Sequence, residues 1–261
     1  MTSTRTAAIK LLIAVGSMAA LLITGLGFAI HFAIADTTPT TASTDGHAPD
    51  RTSTSVSVRD AIADAPMMTT TAADATSGTP ALTPPPTLVE PASTSIGALG
   101  VASGFPHTPN GAAAQLGEIL VATLQPMDLA WAQEIRQSWF QKSNQGQVWP
   151  VMLLIQGFLK QAGMPLGLEA DALMTVTPVA AQIKGVDGPD WVVACVLLDV
   201  TYTSTSTARL AYGHCERMAW EGGADGRWLI APGSHPPPAP STWPGTDLAA
   251  KAGWRTWVQE G

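Results

Sequence analysis

The pattern of apolar and polar positions divides the chain into three parts. The first is an apolar run over residues 11–35 that contains no charged side chain. The second, residues 36–100, is rich in Thr, Ala, Ser and Pro and shows neither a helical nor a strand period. Apolar side chains recur at regular spacing only beyond residue 100, where all nine tryptophans also lie. The pattern therefore predicts one folded domain over residues 101–261.

Three helices are predicted at the start of this domain. Thr108 followed by Pro109 indicates a helix start, because a threonine side chain caps free backbone N–H groups and proline suits the first helical position. A second helix is predicted over residues 127–140. A third is predicted over residues 150–162, since proline begins it and glycine follows it. The third helix is expected to bury Leu153, Phe158 and Leu159.

The period then changes to that of strands. Residues 173–186 favour a strand in which Pro178 predicts an edge position or a bulge. Residues 191–202 are almost continuously apolar, which is typical of a strand that is covered on both faces. Two further strands are predicted over residues 209–220 and 227–231. Helices followed by a four-stranded antiparallel meander indicate an α+β fold.

The turn between the two long strands sets their register and pairs the two cysteines. If the hairpin turns at Thr205, Cys195 stands directly opposite Cys215 on adjacent strands, at a separation close to that of a disulfide. A disulfide here closes a loop of about 20 residues and contributes roughly 3 kcal/mol. The alternative is a pair of buried apolar thiols.

The same register places Tyr212 and His214 on the face opposite the cysteines, where they form a candidate pocket. Asp199 joins them only if a bulge turns its side chain to their face; otherwise it forms an ion pair with Arg209. A tyrosine, a histidine and an aspartate in an apolar pocket would support proton transfer. The alternative is a core tyrosine beside a partly exposed histidine.

Composition excludes several classes of function. The net charge is −7 and no basic stripe is present, so we predict no direct binding to nucleic acid. The five histidines are scattered without the spacing of metal ligands. No nucleophile elbow, P-loop or dinucleotide fingerprint occurs. We therefore predict no catalytic residues, no metal and no cofactor.

The apolar run predicts a membrane anchor. About 20 apolar residues span a bilayer, so residues 11–35 are long enough for one transmembrane helix. Basic residues before the run and Asp36 after it place residues 1–10 in the cytoplasm and the rest outside. A cleavable signal peptide that ends at Ala35 is the alternative, although the run is longer than such peptides need. Residues 36–100 are predicted to be a disordered linker.

Three tryptophans near the proline-rich tail admit two interpretations. Trp243, Trp254 and Trp257 either pin the tail onto the sheet or form an exposed interaction surface for a glycan or a protein. The first interpretation is preferred, because buried aromatic side chains are the commoner case.

Four stretches of the domain carry a family resemblance: GFPHTPNGAAAQL, AYGHCERMAW, RWLIAPG and STWPGTDLAAKAGWRTW. They resemble a group of actinobacterial single-pass membrane proteins that are encoded on integrative and conjugative elements. The resemblance implies a nuclear-transport-factor-2-like (cystatin-like) cone, a curved sheet wrapped by helices. Outer domains of inner-membrane assembly components in type IV secretion systems have this fold. The resemblance brings no catalytic residues with it.

These observations together predict a non-enzymatic scaffold subunit of a conjugative DNA-transfer apparatus. The chain is expected in the cell membrane, with its domain outside the cytoplasm. Its expected partners are protein subunits of the transfer channel and further copies of itself, as a dimer or trimer. Two alternatives remain: a secreted enzyme or small-ligand binder that uses the interior of the cone, and a module that binds cell-wall glycan.

Overall fold

A computed structural model describes residues 57–144, 146–164, 167–223 and 226–259. The predicted cytoplasmic N-terminus, the apolar run and the first part of the predicted linker lie outside these residues. Within the described ranges, no helix has both the length and the apolar character needed to cross a membrane.

The described residues form helices first and long strands afterwards. The helices are α1 (Val58–Asp64), α2 (Ala72–Thr76), α3 (Pro109–Leu124), α4 (Leu129–Trp139), α5 (Pro150–Ala162) and α6 (Asp247–Lys251). Short 3₁₀ turns lie at Ala98–Gly100 and Lys142–Asn144. The strands are β1 (Thr87–Glu90), β2 (Ser95–Ile96), β3 (Ala102–Ser103), β4 (Leu173–Val186), β5 (Trp191–Thr203), β6 (Thr207–Glu221), β7 (Arg227–Ile230) and β8 (Arg255–Gln259).

The three predicted helices of the domain are present, with ends set by their caps. The Thr108 hydroxyl accepts a hydrogen bond from the Gly111 N–H at 3.1 Å at the start of α3. Helix α5 ends at Gly163, whose φ of 72° lies in the left-handed region that favours glycine. Phe158 is buried as expected, whereas the prediction for Leu153 is wrong because that side chain is 57% exposed. The buried positions of α5 also include Val151 and Ile155.

The main sheet has six strands and is mixed, so the prediction of four antiparallel strands is wrong. The strand order is β1-β8-β4-β5-β6-β7, and the sheet curls into a half barrel. Strands β4 to β7 form the predicted antiparallel meander. Strand β8 adds antiparallel to β4, and β1 pairs parallel with β8. Both added strands are short, and β1 lies between prolines, so neither has a recognisable strand period.

The predicted linker differs from the structure over residues 57–100. This segment contains α1, α2, β1 and β2, and α1 is fastened to the sheet by charged contacts. Arg217 pairs with Asp60 at 2.8 Å, and the Lys184 ammonium donates to the Ala63 carbonyl at 2.6 Å. Helices this short gain their stability from tertiary contacts. A search for local periodicity therefore misses them.

Side chains cover both faces of the sheet. The inner face packs against α3, α4 and α5, and it includes Val196 and Leu198 of β5. The outer face is covered by α1, α6 and a segment that we call the arm, residues 232–246. Alternate residues of β5, such as Val193 and Leu197, belong to this second apolar cluster. The prediction that β5 is covered on both faces is confirmed.

The predicted register between the two long strands is confirmed. Cys195 is paired with Cys215 across β5 and β6, and the two form a disulfide with a Cα–Cα distance of 4.0 Å. The predicted bulge in β4 is present as a shift of register between Pro178 and Ala180. The position of the turn between β5 and β6 therefore fixes the register of both strands.

Candidate functional site

Three polar side chains follow one another along the inner face of β6. Tyr212, His214 and Glu216 are spaced two residues apart, so a strand presents them all on the same face. Their register partners on β5 are all apolar: Leu198, Val196 and Ala194. The strand thus carries a polar row into the apolar interior between the sheet and the helices.

Hydrogen bonds link these three side chains into a chain. The Tyr212 hydroxyl lies 2.9 Å from His214 Nδ1, and His214 Nε2 lies 2.8 Å from Glu216 Oε1. With the carboxylate ionised, Nε2 must carry a proton to donate to it. In the neutral ring Nδ1 is then the acceptor, so the tyrosine hydroxyl donates. The direction of the bond to Glu216 therefore follows from the carboxylate, and in the neutral ring the tyrosine is the donor to Nδ1.

Two residues from other parts of the chain complete what we call the Glu216 cluster: Tyr212, His214, Glu216, Trp149 and His235. The Trp149 indole N–H donates to Glu216 Oε1 at 2.9 Å from the residue just before α5. His235 lies in the arm, with Nδ1 3.8 Å from Glu216 Oε2. Its Nε2 donates to the Val148 carbonyl at 2.8 Å. The cluster thus joins β6, the start of α5 and the arm.

Burial and pairing together set the protonation states in the cluster. Burial by itself raises the pKa of Glu216, but the hydrogen bond from His214 and the adjacent imidazole of His235 outweigh it and lower the pKa. Burial, followed by the negative charge of Glu216, raises the pKa of Tyr212. The nearby Glu216 carboxylate, whose Oε2 lies 3.8 Å from Nδ1, raises the pKa of His235 despite partial burial. Glu216 is therefore an anion, and Tyr212 remains neutral.

The cluster leaves little room for a substrate. Glu216 is 2% exposed, and the cavity beside Tyr212 has a volume of about 20 Å³. That volume holds about one water molecule, and the other lining residues are apolar. Within the described residues, no group of histidine, cysteine and carboxylate side chains is arranged to hold a metal ion. The arrangement links polar groups by hydrogen bonds inside the fold, and it presents no open binding site.

Asp199 lies apart from the cluster. Its carboxylate forms a bidentate ion pair with Arg209, in which the Nε–Oδ1 distance is 2.7 Å. This is the diagonal pairing predicted for the cysteine face. The structure thus brings Tyr212 and His214 of the candidate pocket together and places Asp199 elsewhere.

The three tail tryptophans occupy separate positions and do not form one surface. Trp254 is 2% exposed and donates its indole N–H to the Pro240 carbonyl at 2.9 Å. Trp257 packs against the inner core, close to Gly117 of α3. Trp243 is partly buried, with the Arg209 guanidinium 4.7 Å from its ring centre. Each ring holds part of the tail against the fold.

The disulfide lies under the segment that precedes β1. Cys195 is fully buried and Cys215 is 5% exposed. The Met67 thioether sulfur lies 3.5 Å from Cys215 Sγ. Residues before β1 therefore shield the disulfide from solvent.

The sequence prediction missed three members of the Glu216 cluster. Glu216 carried a usable signal, because a carboxylate two residues beyond His214 on a core-facing strand needs a buried partner. Trp149 directly precedes Pro150, and this position indicates only a helix start. His235 is separated from β6 by a turn and another strand. Nothing in the local sequence indicates that the arm returns to the start of α5.

Comparison of the chain with models of known protein families gives no match, and comparisons with curated proteins and with solved structures give none either.

Proposed function

We propose that this chain is a non-enzymatic, membrane-anchored scaffold subunit of a conjugative DNA-transfer apparatus of the type IV secretion kind. Three observations support this function: the apolar run, the sequence resemblance and the packed interior of the cone. Its partners would be protein subunits of the transfer channel, and DNA would be handled by other subunits.

The filled interior is the observation that supports this function best. Trp139, Trp149 and Trp228 are each at most 1% exposed and occupy the space between the sheet and the helices. Small-molecule sites usually have volumes of about 300–1,000 Å³, far above the cavity beside Tyr212. A cone that is packed with side chains offers its outer surface for contacts. A scaffold needs such an outer surface for its partners, whereas a catalytic cone needs an open interior cavity for its substrate.

Charge supports the choice of protein partners over DNA. The chain has 20 acidic residues and 13 basic ones. Two arginines of the domain are paired with acidic side chains, Arg217 with Asp60 and Arg209 with Asp199. A protein that follows a nucleic-acid backbone presents basic side chains along one face.

Crosslinking in the native host tests the proposal. The full-length, tagged chain would be crosslinked in growing cells, captured and analysed by mass spectrometry. We expect recovery of transfer ATPases or of channel subunits with several membrane spans. The control is a chain in which residues 1–35 are replaced by a cleavable signal peptide, which should lose these partners. Recovery of wall fragments or of the chain alone would contradict the proposal.

A single substitution, Tyr212→Phe, distinguishes the scaffold hypothesis from the enzyme hypothesis. Tyr212→Phe removes the hydroxyl of the buried polar chain and costs about 1 kcal/mol of stability. The scaffold proposal expects normal partner capture and a normal frequency of DNA transfer in this variant. A catalytic cone that uses Tyr212 would instead lose transfer while it kept its partners.

A further inference from the structure

An apolar cleft opens on the outer face of the sheet, at the end opposite β7. It has a volume of about 320 Å³ and lies between β4, β8, α6 and the end of the arm. The sheet side is formed by Val179, Ala180 and Leu197, and the helix side by Ala249, Ala250 and Trp254. Most of these side chains are small, and this leaves the space open.

Exposed apolar side chains flank this cleft. Thr256 of β8 lines the cleft, and Val258 follows two residues later on the same face. Val258 is paired with Val89 of β1, and the two side chains are 38% and 49% exposed. The two valines add exposed apolar surface beside the cleft, and large contiguous surfaces of this kind are typical of interaction sites.

Leu82 projects beside the cleft and is 96% exposed. Its loop is held in place, because the Ala81 N–H donates to the Gly245 carbonyl at 2.9 Å and Pro80 forms a bridge with Thr246. Pro85, three residues later, lines the cleft, as does Gly245. The same surface therefore carries an apolar projection and an apolar cavity side by side.

The exposed face of α6, the helix that forms one wall of the cleft, carries a self-complementary pair of charges. Asp247 and Lys251 lie one turn apart on this face, and both are exposed. Two copies of α6 that meet antiparallel would bring Asp247 of each copy next to Lys251 of the other. A twofold contact requires one patch to fit itself in this way.

We propose that this surface is a twofold self-association site, in which Leu82 of each copy enters the cleft of the other copy and Asp247 pairs with Lys251 across the contact. The site is independent of the proposed transfer apparatus. A chain that has no part in DNA transfer would still dimerise through it.

Site-specific photo-crosslinking on the full-length chain in membranes tests the contact. A photoreactive amino acid would replace Leu82, and two differently tagged copies would be expressed together. We expect a crosslink between copies that maps to residues 244–256. The matched control is the same replacement at Leu153, which is also an exposed leucine but lies on α5. Crosslinks to lipid or to other proteins only, or equal crosslinking from Leu153, would overturn the proposal.

Charge exchange gives a second test that does not depend on the apolar contact. In the purified full-length chain, Leu82→Asp should raise the dissociation constant of the dimer about tenfold or more, and Leu153→Asp should leave it unchanged. Asp247→Lys or Lys251→Asp alone should weaken the dimer, and the two together should restore it. Asp247 lies in the first turn of α6 and Lys251 in the last, so each reversal also costs some stability of that helix. Thermal unfolding of every variant separates this cost from the change in the dissociation constant. Failure of the double exchange to restore the dimer would overturn the proposed pairing.

Discussion

Glu216 is a buried carboxylate whose charge is balanced by groups from three parts of the chain. His214 holds it from the same strand, Trp149 from the start of α5, and His235 from the arm. A buried charge is tolerated only when it is paired and hydrogen-bonded. The carboxylate therefore acts as a structural centre that fixes the positions of α5 and the arm relative to the sheet.

His235 makes this centre sensitive to pH. Its pKa is raised in the folded protein, so its contribution to stability is complete below the ordinary value of 6.5 and disappears as pH rises through the raised value. The pKa of Glu216 is lowered, so its contribution is complete above the ordinary value of 4.5 and is lost as pH falls through the lowered value. The pair therefore stabilises the fold most between the two ordinary values, from about pH 4.5 to about pH 6.5.

We predict that His235→Asn destabilises the chain more at about pH 5.5 than at about pH 9, with a difference on the order of 1 kcal/mol. The reason is that only the protonated imidazole attracts the Glu216 carboxylate. Arg217 lies close enough to oppose that protonation, and this limits the size of the effect. Denaturant unfolding of both proteins at the two pH values measures the difference.

A second background serves as the control for this prediction. In a Glu216→Gln chain, the effect of His235→Asn should be the same at both pH values. A pH-independent effect of His235→Asn in the wild-type background would mean that His235 serves the arm only through its bond to Val148.

At the residue scale, the sequence predicted pairs within one hairpin and missed contacts between distant segments. The turn at Thr205 aligned Cys195 with Cys215 and placed Tyr212 and His214 on the inner face, since the register within a hairpin is a local property. The contact of His235 with Glu216 depends on the path of the arm. That path results from tertiary packing, which periodicity does not describe.

At the scale of elements, the arm is positioned by a close approach to β6. Gly213 donates its N–H to the Ser241 hydroxyl at 3.0 Å. A Cβ atom at Gly213 would lie 2.9 Å from the Pro240 carbonyl oxygen and 3.1 Å from the Ala239 Cβ. The absence of a side chain at this position therefore allows the arm to lie against the sheet.

We predict that Gly213→Ala lifts the arm and destabilises the chain by about 1–3 kcal/mol, because overpacking forces the backbone to move. Gly146→Ala is the matched control, since nothing lies within 4 Å of the Cβ atom it would add. Limited proteolysis of the arm and denaturant unfolding measure the two effects. Equal stability of both variants would show that the arm follows another path.

The elements that sequence analysis missed are those without a period of their own. The predicted ends of α5 and β4 agree with the structure, because a proline start, a glycine end and a long alternating run are local signals. Strand β1 has four residues, and α1 is anchored by Arg217 from a strand far along the chain. Composition alone places such segments in a linker.

At the scale of the whole molecule, residues 57–100 form part of the folded domain. Ile62, Ala63 and Met67 join the apolar cluster on the outer face, and β1 pairs with β8 at the edge of the sheet. A domain that begins at residue 101 would therefore expose the outer face beside the disulfide.

We predict that a chain beginning at residue 57 unfolds cooperatively, whereas one beginning at residue 101 is less stable by about 3 kcal/mol or more. The shorter chain lacks Ile62 and Met67, which pack partly buried on the outer face, and Leu88 of β1, which packs partly buried against the inner core. Burial of apolar surface contributes about 25 cal/mol per Å², so losing these contacts costs on the order of 3 kcal/mol. Thermal unfolding and the binding of a hydrophobic dye measure the difference. Identical unfolding and dye binding in the two chains would contradict the role given to residues 57–100.

The parallel pairing of β1 with β8 has a consequence for the order in which the protein is made. Thr87 meets Thr256, so two strands that emerge early and late during synthesis are direct neighbours. Contacts between residues so far apart in sequence form slowly, because a long loop must close first. During synthesis, strand β1 therefore cannot pair with β8 until residues 255–259 have been made. During that interval a chaperone that binds extended segments would find its target there.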